Sequence, residues 1–254
     1  MTPRSTNDDT DAAPVRISKL LAERGICSRR EADDFIARGL VTIDGERVAV
    51  LGEKVLPSQR ITLDPLARSE TDARVTVLLH KPLGYVSGQA EDGYEPAITL
   101  ITRDTHYEKD RSGLKFAPKH RDGLAPAGRL DIDSTGLLVL TQNGTIARQL
   151  IGNDTKIDKE YVVGIKGKLT PEGLALLNHG LRLDGRDLRP ATVTKMGEGK
   201  LRFILREGRK RQIRRMCALV DLEVTSLTRV RIGRVRLGHL PYGQWRYLRA
   251  DERF

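Results

Sequence analysis

The segment from Gly128 to Leu138 carries the strongest chemical signal in this sequence. An acid, Asp131, lies between Arg129 and a turn rich in Asp, Ser and Gly. The apolar run Leu137–Leu140 follows at once and is typical of a buried strand. A carboxylate at the mouth of such a strand can act as a nucleophile or as a general acid or base. Asp and Ser side chains also build plain turns by bonding their own backbone, and this segment taken alone favours the turn.

Two later segments add residues that could act together with this acid. Tyr161 lies in an apolar, strand-like run, where a half-buried Tyr is common. Arg214 and Arg215 follow a glycine in a strongly basic stretch and could serve as phosphate contacts. Asp133 is a second acid in the first segment, and the residues alone allow it to exchange roles with Asp131.

The charge of the chain is concentrated near its C-terminus. The 254 residues carry a net charge of +10, and 39% of them are hydrophobic. The last 54 residues hold 14 Lys and Arg against 5 Asp and Glu, and 13 of those cations are Arg. Arg is well suited to bidentate phosphate contacts, and a clustered basic segment indicates a polyanion, most often nucleic acid.

Other features of the sequence exclude several classes of protein. No apolar run approaches the length of a membrane span, and the first residues lack the apolar core of a signal peptide. Cys27 and Cys217 are isolated, so neither a disulfide framework nor a metal site is expected, and a reducing cytoplasm fits. The polar, acidic stretch 1–14 predicts a disordered tail.

The region 15–63 predicts two helices followed by a hairpin. A short amphipathic helix ends at Gly25, and Ser28 with Glu31 forms the capping-box pattern that begins a second helix. Asp44-Gly45 between two short apolar runs is a hairpin signal. The polar stretch 64–74 is typical of a linker.

Strands and helices then alternate without a strict repeat from 127 to 248. The runs 75–79 and 161–165 are strand-like, and Thr170-Pro171 marks the beginning of a helix. The charged, weakly hydrophobic stretch 102–125 predicts a mobile loop or insertion.

The N-terminal unit resembles an S4-type RNA-binding domain. The resemblance rests on Arg16-x3-Leu20, on the stretch from Gly25 to Ala32, and on Gly39-x-Val41-x-Ile43-Asp44-Gly45. It implies that Arg29 and Arg30 face RNA backbone, which agrees with the anion preference of a helix N-terminus.

Three ordered segments resemble the motifs of pseudouridine synthases, in the ribosomal small-subunit pseudouridine synthase A family. They are 128–131, 159–163 and 207–216, and Lys81-Pro82-x-Gly84, Ile232-Gly233 and 243–246 fit the same family. The resemblance covers about residues 15–250. It implies an α+β fold: a small helix–helix–hairpin domain, 15–63, and a catalytic domain, 75–250, with a mixed, mostly antiparallel sheet.

The resemblance also implies roles for individual residues. Asp131 matches the catalytic acid that acts at the ribose, as a nucleophile or as a base. Arg214 matches its ion-pair partner, and Tyr161 matches the aromatic residue that stacks on the target base. Arg129 matches the residue that fills the space of the flipped uridine. The expected RNA contacts are Arg29, Arg30, Arg129, Arg209, Lys210, Arg211 and Arg215.

The resemblance further implies the substrate. The stretch 212–217 with Glu223-Val224-Thr225 and 243–246 is most similar to the large-subunit ribosomal RNA pseudouridine synthase F subgroup. The implied enzyme is monomeric, needs no cofactor and modifies 23S ribosomal RNA. The length of 102–125 departs from that subgroup and leaves the particular uridine open. The alternatives are a non-catalytic ribosome assembly factor and the same enzyme acting on 16S ribosomal RNA or tRNA.

Overall fold

The computed structural model describes residues 13–91, 93–152 and 155–254. Residues 1–12 of the predicted tail lie outside this range. The chain divides into two compact units between Arg74 and Val75, and the short segment Asn143–Thr145 is grouped with the first of them. No helix in the described ranges combines the length and apolarity needed to cross a membrane.

The first unit contains the predicted helices and hairpin around one apolar core. Ile17, Leu21, Phe35 and Ile36 are almost completely buried in that core. The elements of this unit are β1 (Val15–Arg16), α1 (Ile17–Glu23), α2 (Arg29–Ala37), β2 (Val41–Ile43), β3 (Glu46–Val48), β4 (Lys54–Val55), β5 (Ile61–Leu63) and α3 (Pro65–Asp72).

Local signals place the start of α2 and the hairpin turn where the sequence predicts them. The Ser28 hydroxyl accepts a bond from the Glu31 amide at 3.3 Å, and the Ser28 amide donates to the Glu31 carboxylate at 2.6 Å. This capping box satisfies amides that the helix cannot pair. Asp44 and Gly45 both have positive φ, 50° and 95°, as the tight turn between β2 and β3 requires.

Most of the stretch 64–74, which the sequence predicts as a linker, forms the short helix α3. The Asp64 side chain accepts from the Leu66 amide at 2.9 Å and caps α3. Pro65 occupies the first turn, where its missing N–H costs nothing, and Ala67 is buried. The polar composition belongs to the exposed side of this short helix.

The second unit is built on a nine-stranded sheet. Its main path runs β14-β15-β11-β16-β10-β6-β18, with β17 on β16 and β9 on β10. The β10–β16 pair is parallel and the other strand pairs of this sheet are antiparallel. The remaining elements are β6 (Thr76–Lys81), β7 (Tyr85–Val86), β8 (Glu95–Pro96), β9 (Ala125–Pro126), β10 (Thr135–Thr141), α4 (Gly144–Ile151), β11 (Lys159–Lys166), α5 (Pro171–Asn178), β12 (Arg182–Leu183), β13 (Arg186–Asp187), β14 (Thr192–Lys195), β15 (Lys200–Leu205), α6 (Gln212–Ala218), β16 (Glu223–Ile232), β17 (Val235–Arg236) and β18 (Trp245–Tyr247).

Strand β10 is buried on both faces, which explains its continuous apolar run. Leu138 and Leu140 belong to one apolar cluster, and Leu137 and Val139 belong to another. Alternate side chains of a strand point to opposite faces, so the sheet is covered on both sides here. The α+β class and the mostly antiparallel sheet predicted from the sequence are confirmed.

The stretch 102–125 is a packed loop with one short 3-10 helix, Pro118–Arg121. The His106 ring stacks on Trp245 with centroids 4.3 Å apart. The Trp245 indole donates to the Thr102 carbonyl at 2.8 Å, and the Tyr247 amide donates to Asp110 at 2.9 Å. The stretch is therefore a loop, as the sequence predicts, and these contacts pack it against residues far away in the sequence.

Candidate active site

The Asp131 turn is held by backbone contacts on both sides of the acid. The Ser87 hydroxyl donates to the Leu130 carbonyl and accepts from the Leu130 amide, each at 2.8 Å. The Ser134 amide donates to the Asp131 carbonyl at 3.1 Å, and the Gly84 amide donates to the Ile132 carbonyl at 3.1 Å. The half-buried Asp131 is thus fixed at the entrance to β10.

The turn enters β10 through a glycine that has no room for a side chain. Gly136 has φ +107° and pairs with Arg229 in the parallel β10–β16 ladder. A Cβ at this position would overlap the Arg229 backbone oxygen. Glycine therefore permits the close approach that brings β16 against the Asp131 turn.

Arg229 is a buried cation in this region, with 2% of its surface exposed. Its Nε donates to the Leu137 carbonyl at 2.7 Å, and one terminal nitrogen donates to the Arg129 carbonyl at 3.2 Å. Its guanidinium carbon lies 6.0 Å from the centre of the Tyr161 ring, within cation–π range. The other terminal nitrogen is buried without a hydrogen-bond partner among the described residues. Arg229 therefore ties the backbone on both sides of Asp131 to the Tyr161 ring.

Lys81 is a second buried cation next to the turn. Its ammonium donates to the Pro82 carbonyl at 2.7 Å and to the Tyr85 carbonyl at 2.9 Å. Burial lowers the pKa of Lys81 to about 8, while the charges of Asp131 and Asp133 act to raise it. The field of the Asp131 carboxylate thus reaches this ammonium.

The expected ion pair between Arg214 and Asp131 is absent from the described residues, and Arg214 contacts Asp133. Arg214 Nε lies 3.2 Å from the Asp133 carboxylate, and a terminal nitrogen donates to the Asp133 carbonyl at 2.7 Å. Arg211, in the left-handed conformation just before α6, grips the same carboxylate with bonds of 2.8 and 3.0 Å. The cause is local: Asp133 lies at the tip of the turn beside the start of α6, and its carboxylate takes both guanidinium groups.

These contacts distinguish the two acids of the turn. Partial burial would raise the pKa of Asp133, but the Arg211 hydrogen bonds and the charges of Arg214 and Arg211 outweigh it and hold that pKa below its ordinary value. The Asp131 carboxylate has no hydrogen-bond or ion-pair partner within the described ranges. The Asp133 carboxylate is occupied by its ion pairs with Arg211 and Arg214, whereas the Asp131 carboxylate is available to a ligand.

The other predicted site residues have different surroundings. Tyr161 is 8% exposed on β11, and the Arg129 side chain is exposed. The Arg209 guanidinium donates to the Leu183 carbonyl at 2.8 Å and to the Asp187 carbonyl at 2.9 Å, so it supports the β12–β13 hairpin. Arg215 forms a two-bond pair with Asp184, at 2.6 and 3.0 Å.

The remaining predicted RNA contacts are open to solvent. Lys210 is exposed. Arg29 and Arg30 are exposed in the first turn of α2, where free amides favour an anion.

Lys81 and Arg229 belong to the site but carry no local pattern in the sequence that assigns them to it. Lys81 is part of a family motif, and nothing in the neighbouring residues indicates that its side chain turns inward. Arg229 lies in a strand rich in polar residues, where an outward-facing Arg is the ordinary expectation. No cluster of three or more His, Cys, Asp or Glu side chains is placed to hold a metal ion in the part of the chain that is described.

Comparisons with known proteins identify both parts of the chain. Residues 75–219 match the RNA pseudouridylate synthase family, and residues 15–61 match the S4 domain. The dual-specificity RNA pseudouridine synthase RluF of Salmonella typhi is 35% identical over 240 residues, which cover 94% of this chain and 77% of that protein. Ribosomal large subunit pseudouridine synthase B of Bacillus subtilis (strain 168) is 33% identical, with 93% of each chain covered.

A solved structure supports the same relationship. A crystal structure of a pseudouridylate synthase matches with a TM-score of 0.61 and 25% identity, over 92% of this chain and 96% of that one. The match includes the regions on both sides of the division at Arg74. Since the family match covers more than half of the residues and the relatives align over nearly the whole chain, this protein is an enzyme of the RNA pseudouridylate synthase family with an S4 domain.

Proposed function

We propose that this enzyme converts a uridine of 23S ribosomal RNA to pseudouridine, with Asp131 as the catalytic carboxylate. The observation that carries the proposal is the Asp131 turn itself. Its backbone is fixed on both sides, while its carboxylate is left unengaged among the described residues and lies within the field of buried Lys81. A fixed carboxylate that retains free lone pairs is suited to attack the ribose or to remove a proton from it.

The reaction conserves the composition of the nucleotide. The bond between N1 of the base and C1′ of the ribose breaks, the uracil turns, and a bond forms between C5 and C1′. The hydrogen on C5 is lost and N1 gains one, so no oxidant or cofactor is consumed. The base must leave its stack to expose C1′, and in this proposal exposed Arg129 fills the gap while the Tyr161 ring lies against the base.

The assignment to the large ribosomal subunit is supported by the relatives. One is named as a large-subunit pseudouridine synthase and aligns over 93% of both chains. The S4 match and the basic C-terminal segment are in keeping with a long RNA. A cytoplasmic, monomeric enzyme is part of the same proposal.

The catalytic assignment is tested by exchanging each acid of the turn for its amide. Asp131→Asn keeps the size of the side chain and removes the charge, and we expect pseudouridine formation on unmodified 23S ribosomal RNA to fall to background. Asp133→Asn is the matched control, because its carboxylate is bound to Arg211. We expect this variant to keep at least roughly a tenth of the wild-type rate, since exposed ion pairs contribute little. Full activity of Asp131→Asn, or loss of activity only in Asp133→Asn, contradicts the assignment.

The choice of RNA is tested separately by supplying unmodified 23S, 16S and transfer RNA transcripts to the wild-type enzyme. Chemical mapping of pseudouridine is expected to show a modified site in 23S ribosomal RNA. Modification confined to 16S or transfer RNA refutes the substrate proposal and leaves the role of Asp131 untouched.

A further inference from the structure

A strongly cationic groove of about 740 Å³ lies in the second unit, and no residue of the Asp131 turn lines it. The turn that joins β16 to β17, the C-terminal residues and part of the packed loop form its walls. Its charged lining residues are Lys109, Arg111, Arg234, Arg236, Arg246, Arg249, Arg253, Asp251 and Glu252.

The charge of this groove is far from balanced. Seven Lys and Arg side chains face two acids, which gives +5 with His239 neutral. Both acids are already paired: Arg246 binds Glu252 through two bonds of 2.7 Å, and Arg249 binds Asp251 at 3.0 Å. The acids therefore do not neutralise the other cations of the lining.

Four of these other cations are open to a ligand. Lys109, Arg111, Arg234 and Arg236 are exposed, and none has an acidic partner in the described part of the chain. Like charges gathered on one surface repel each other, and a polyanion relieves that repulsion. Val235, the apolar residue of β17, is buried. The exposed surface of the groove is therefore cationic there and does not suit an apolar peptide.

The groove and the proposed active site share strand β16, which pairs with both β17 and β10. Val235 pairs with Ile232, which is three residues along β16 from Arg229. At about 3.3 Å per residue, the separation along the strand is about 10 Å. Val235 of the groove belongs to the apolar cluster of Leu137 and Val139, whereas Tyr161 belongs to the cluster of Leu138 and Leu140. An RNA that occupies both regions therefore passes from one face of the sheet to the other.

We infer that this groove binds backbone phosphates of the RNA that flanks the target uridine. The inference rests on the proposed function, because it takes the substrate to be a long RNA. Arg234 and Arg236 supply forked donors that match phosphate oxygens, and Lys109 and Arg111 line the same groove. Its contribution is to affinity and not to base recognition.

The test is a double variant, Arg234→Gln with Arg236→Gln, in the full chain. Binding to an unmodified 23S ribosomal RNA transcript is measured by filter retention at several salt concentrations. We expect about tenfold weaker binding, and a slope of log affinity against log salt that is shallower by about 1.4 to 1.8 for two lost contacts. The Arg234→Lys, Arg236→Lys variant keeps the charges and should recover most of the affinity.

The matched control is Lys195→Gln with Lys200→Gln, which removes two exposed charges on β14 and β15. It should bind as the wild type does, and all variants should share the wild-type thermal midpoint. Equal binding by the Arg234, Arg236 and Lys195, Lys200 variants overturns the groove assignment. Pseudouridine formation by the wild type is scored separately. Its absence would refute the proposed function, whereas the binding loss would still identify an RNA site.

Discussion

Asp131 and Asp133 show how two neighbouring acids of one turn acquire different tasks. Asp133 faces the start of α6 and is gripped by Arg211 with Arg214 beside it. The charge of Asp131 acts on buried Lys81, and the Asp131 carboxylate has no hydrogen-bond or ion-pair partner among the described residues. The expected partnership of Arg214 with Asp131 is not present in this structure. Arg214 instead stabilises the turn that presents the acid.

Lys81 gives this site a titration that can be measured near neutral pH. Its pKa in the folded protein is about 8 because burial disfavours the charge, against 10.5 for an ordinary lysine. Between these values the unfolded chain binds more protons, so this group's contribution to stability increases with pH there and is least favourable below about pH 8. The ammonium beside Asp131, in contrast, is lost as pH rises through 8.

We therefore expect kcat to decline above an apparent pKa of about 8. Lys81→Met should lower kcat at neutral pH, and its profile should lack that decline, because no ammonium remains to titrate. Lys159→Met is the comparison, since burial and the charge of Arg229 also lower the pKa of Lys159. Rates of pseudouridine formation at saturating RNA from pH 6 to 9.5 test this. A decline at pH 8 that survives in Lys81→Met would assign the titration to another group.

At the scale of elements, the site depends on the close approach of β10 and β16. The parallel pairing of these strands places Arg229 against Gly136, and from there its guanidinium reaches the backbone of the Asp131 turn. Two features require glycine at position 136. Its φ of +107° is unfavourable for other residues, and the neighbouring backbone leaves no room for a Cβ atom. Gly128 has the same φ, but the nearest atom to its missing Cβ is an Ile151 side-chain carbon at 3.5 Å.

These two glycines make a matched pair of substitutions. Both Gly128→Ala and Gly136→Ala pay a backbone strain of about 1–3 kcal/mol. Gly136→Ala must in addition push β16 away, and overpacking typically costs a further ~1–3 kcal/mol. We expect Gly136→Ala to lower the free energy of unfolding more than Gly128→Ala does, as measured by urea denaturation of the full chain. If both variants lose the same free energy of unfolding, β10 and β16 can move apart without an energetic cost.

Local sequence signals predicted where helices begin, but contacts between residues far apart in the chain could not be predicted. Ser28 with Glu31 and Thr170 with Pro171 mark helix starts that the structure confirms, because a cap is a contact within four residues. The stacking of His106 on Trp245 joins residues far apart in the chain, and the inward turn of Arg229 depends on β10. Neither contact produces a pattern in a short segment of the sequence. The packing of the loop and the burial of the cations are therefore visible only in the structure.

At the scale of the whole molecule, cations occur in several separate places. The first unit presents Arg29 and Arg30 at the start of α2, and the second unit holds the cationic groove. The sequence revealed the excess charge of the last 54 residues, but not which of those Arg are already bound. Arg209 and Arg215 are engaged by carbonyl and carboxylate groups, so the surface charge available to RNA is smaller than the residue count suggests.

The Arg pair of α2 should contribute to RNA binding chiefly through phosphates. Arg29→Gln with Arg30→Gln removes two exposed charges from a helix N-terminus, where backbone amides also favour an anion. We expect KM for 23S ribosomal RNA to rise about three- to tenfold at 0.15 M salt, with kcat within about twofold of wild type, since phosphate contacts position the RNA.

The effect of this variant should fade as salt increases, because released counterions gain less entropy when the solution already contains many. Arg47→Gln with Lys54→Gln removes the same charge from exposed positions on β3 and β4 and should raise KM less. Initial rates at 0.05, 0.15 and 0.3 M salt measure both variants. If the two pairs raise KM equally, net charge rather than the helix terminus accounts for binding by the first unit. If the Arg29, Arg30 variant lowers kcat at saturating RNA, the pair positions the substrate for the chemical step as well as holding its backbone.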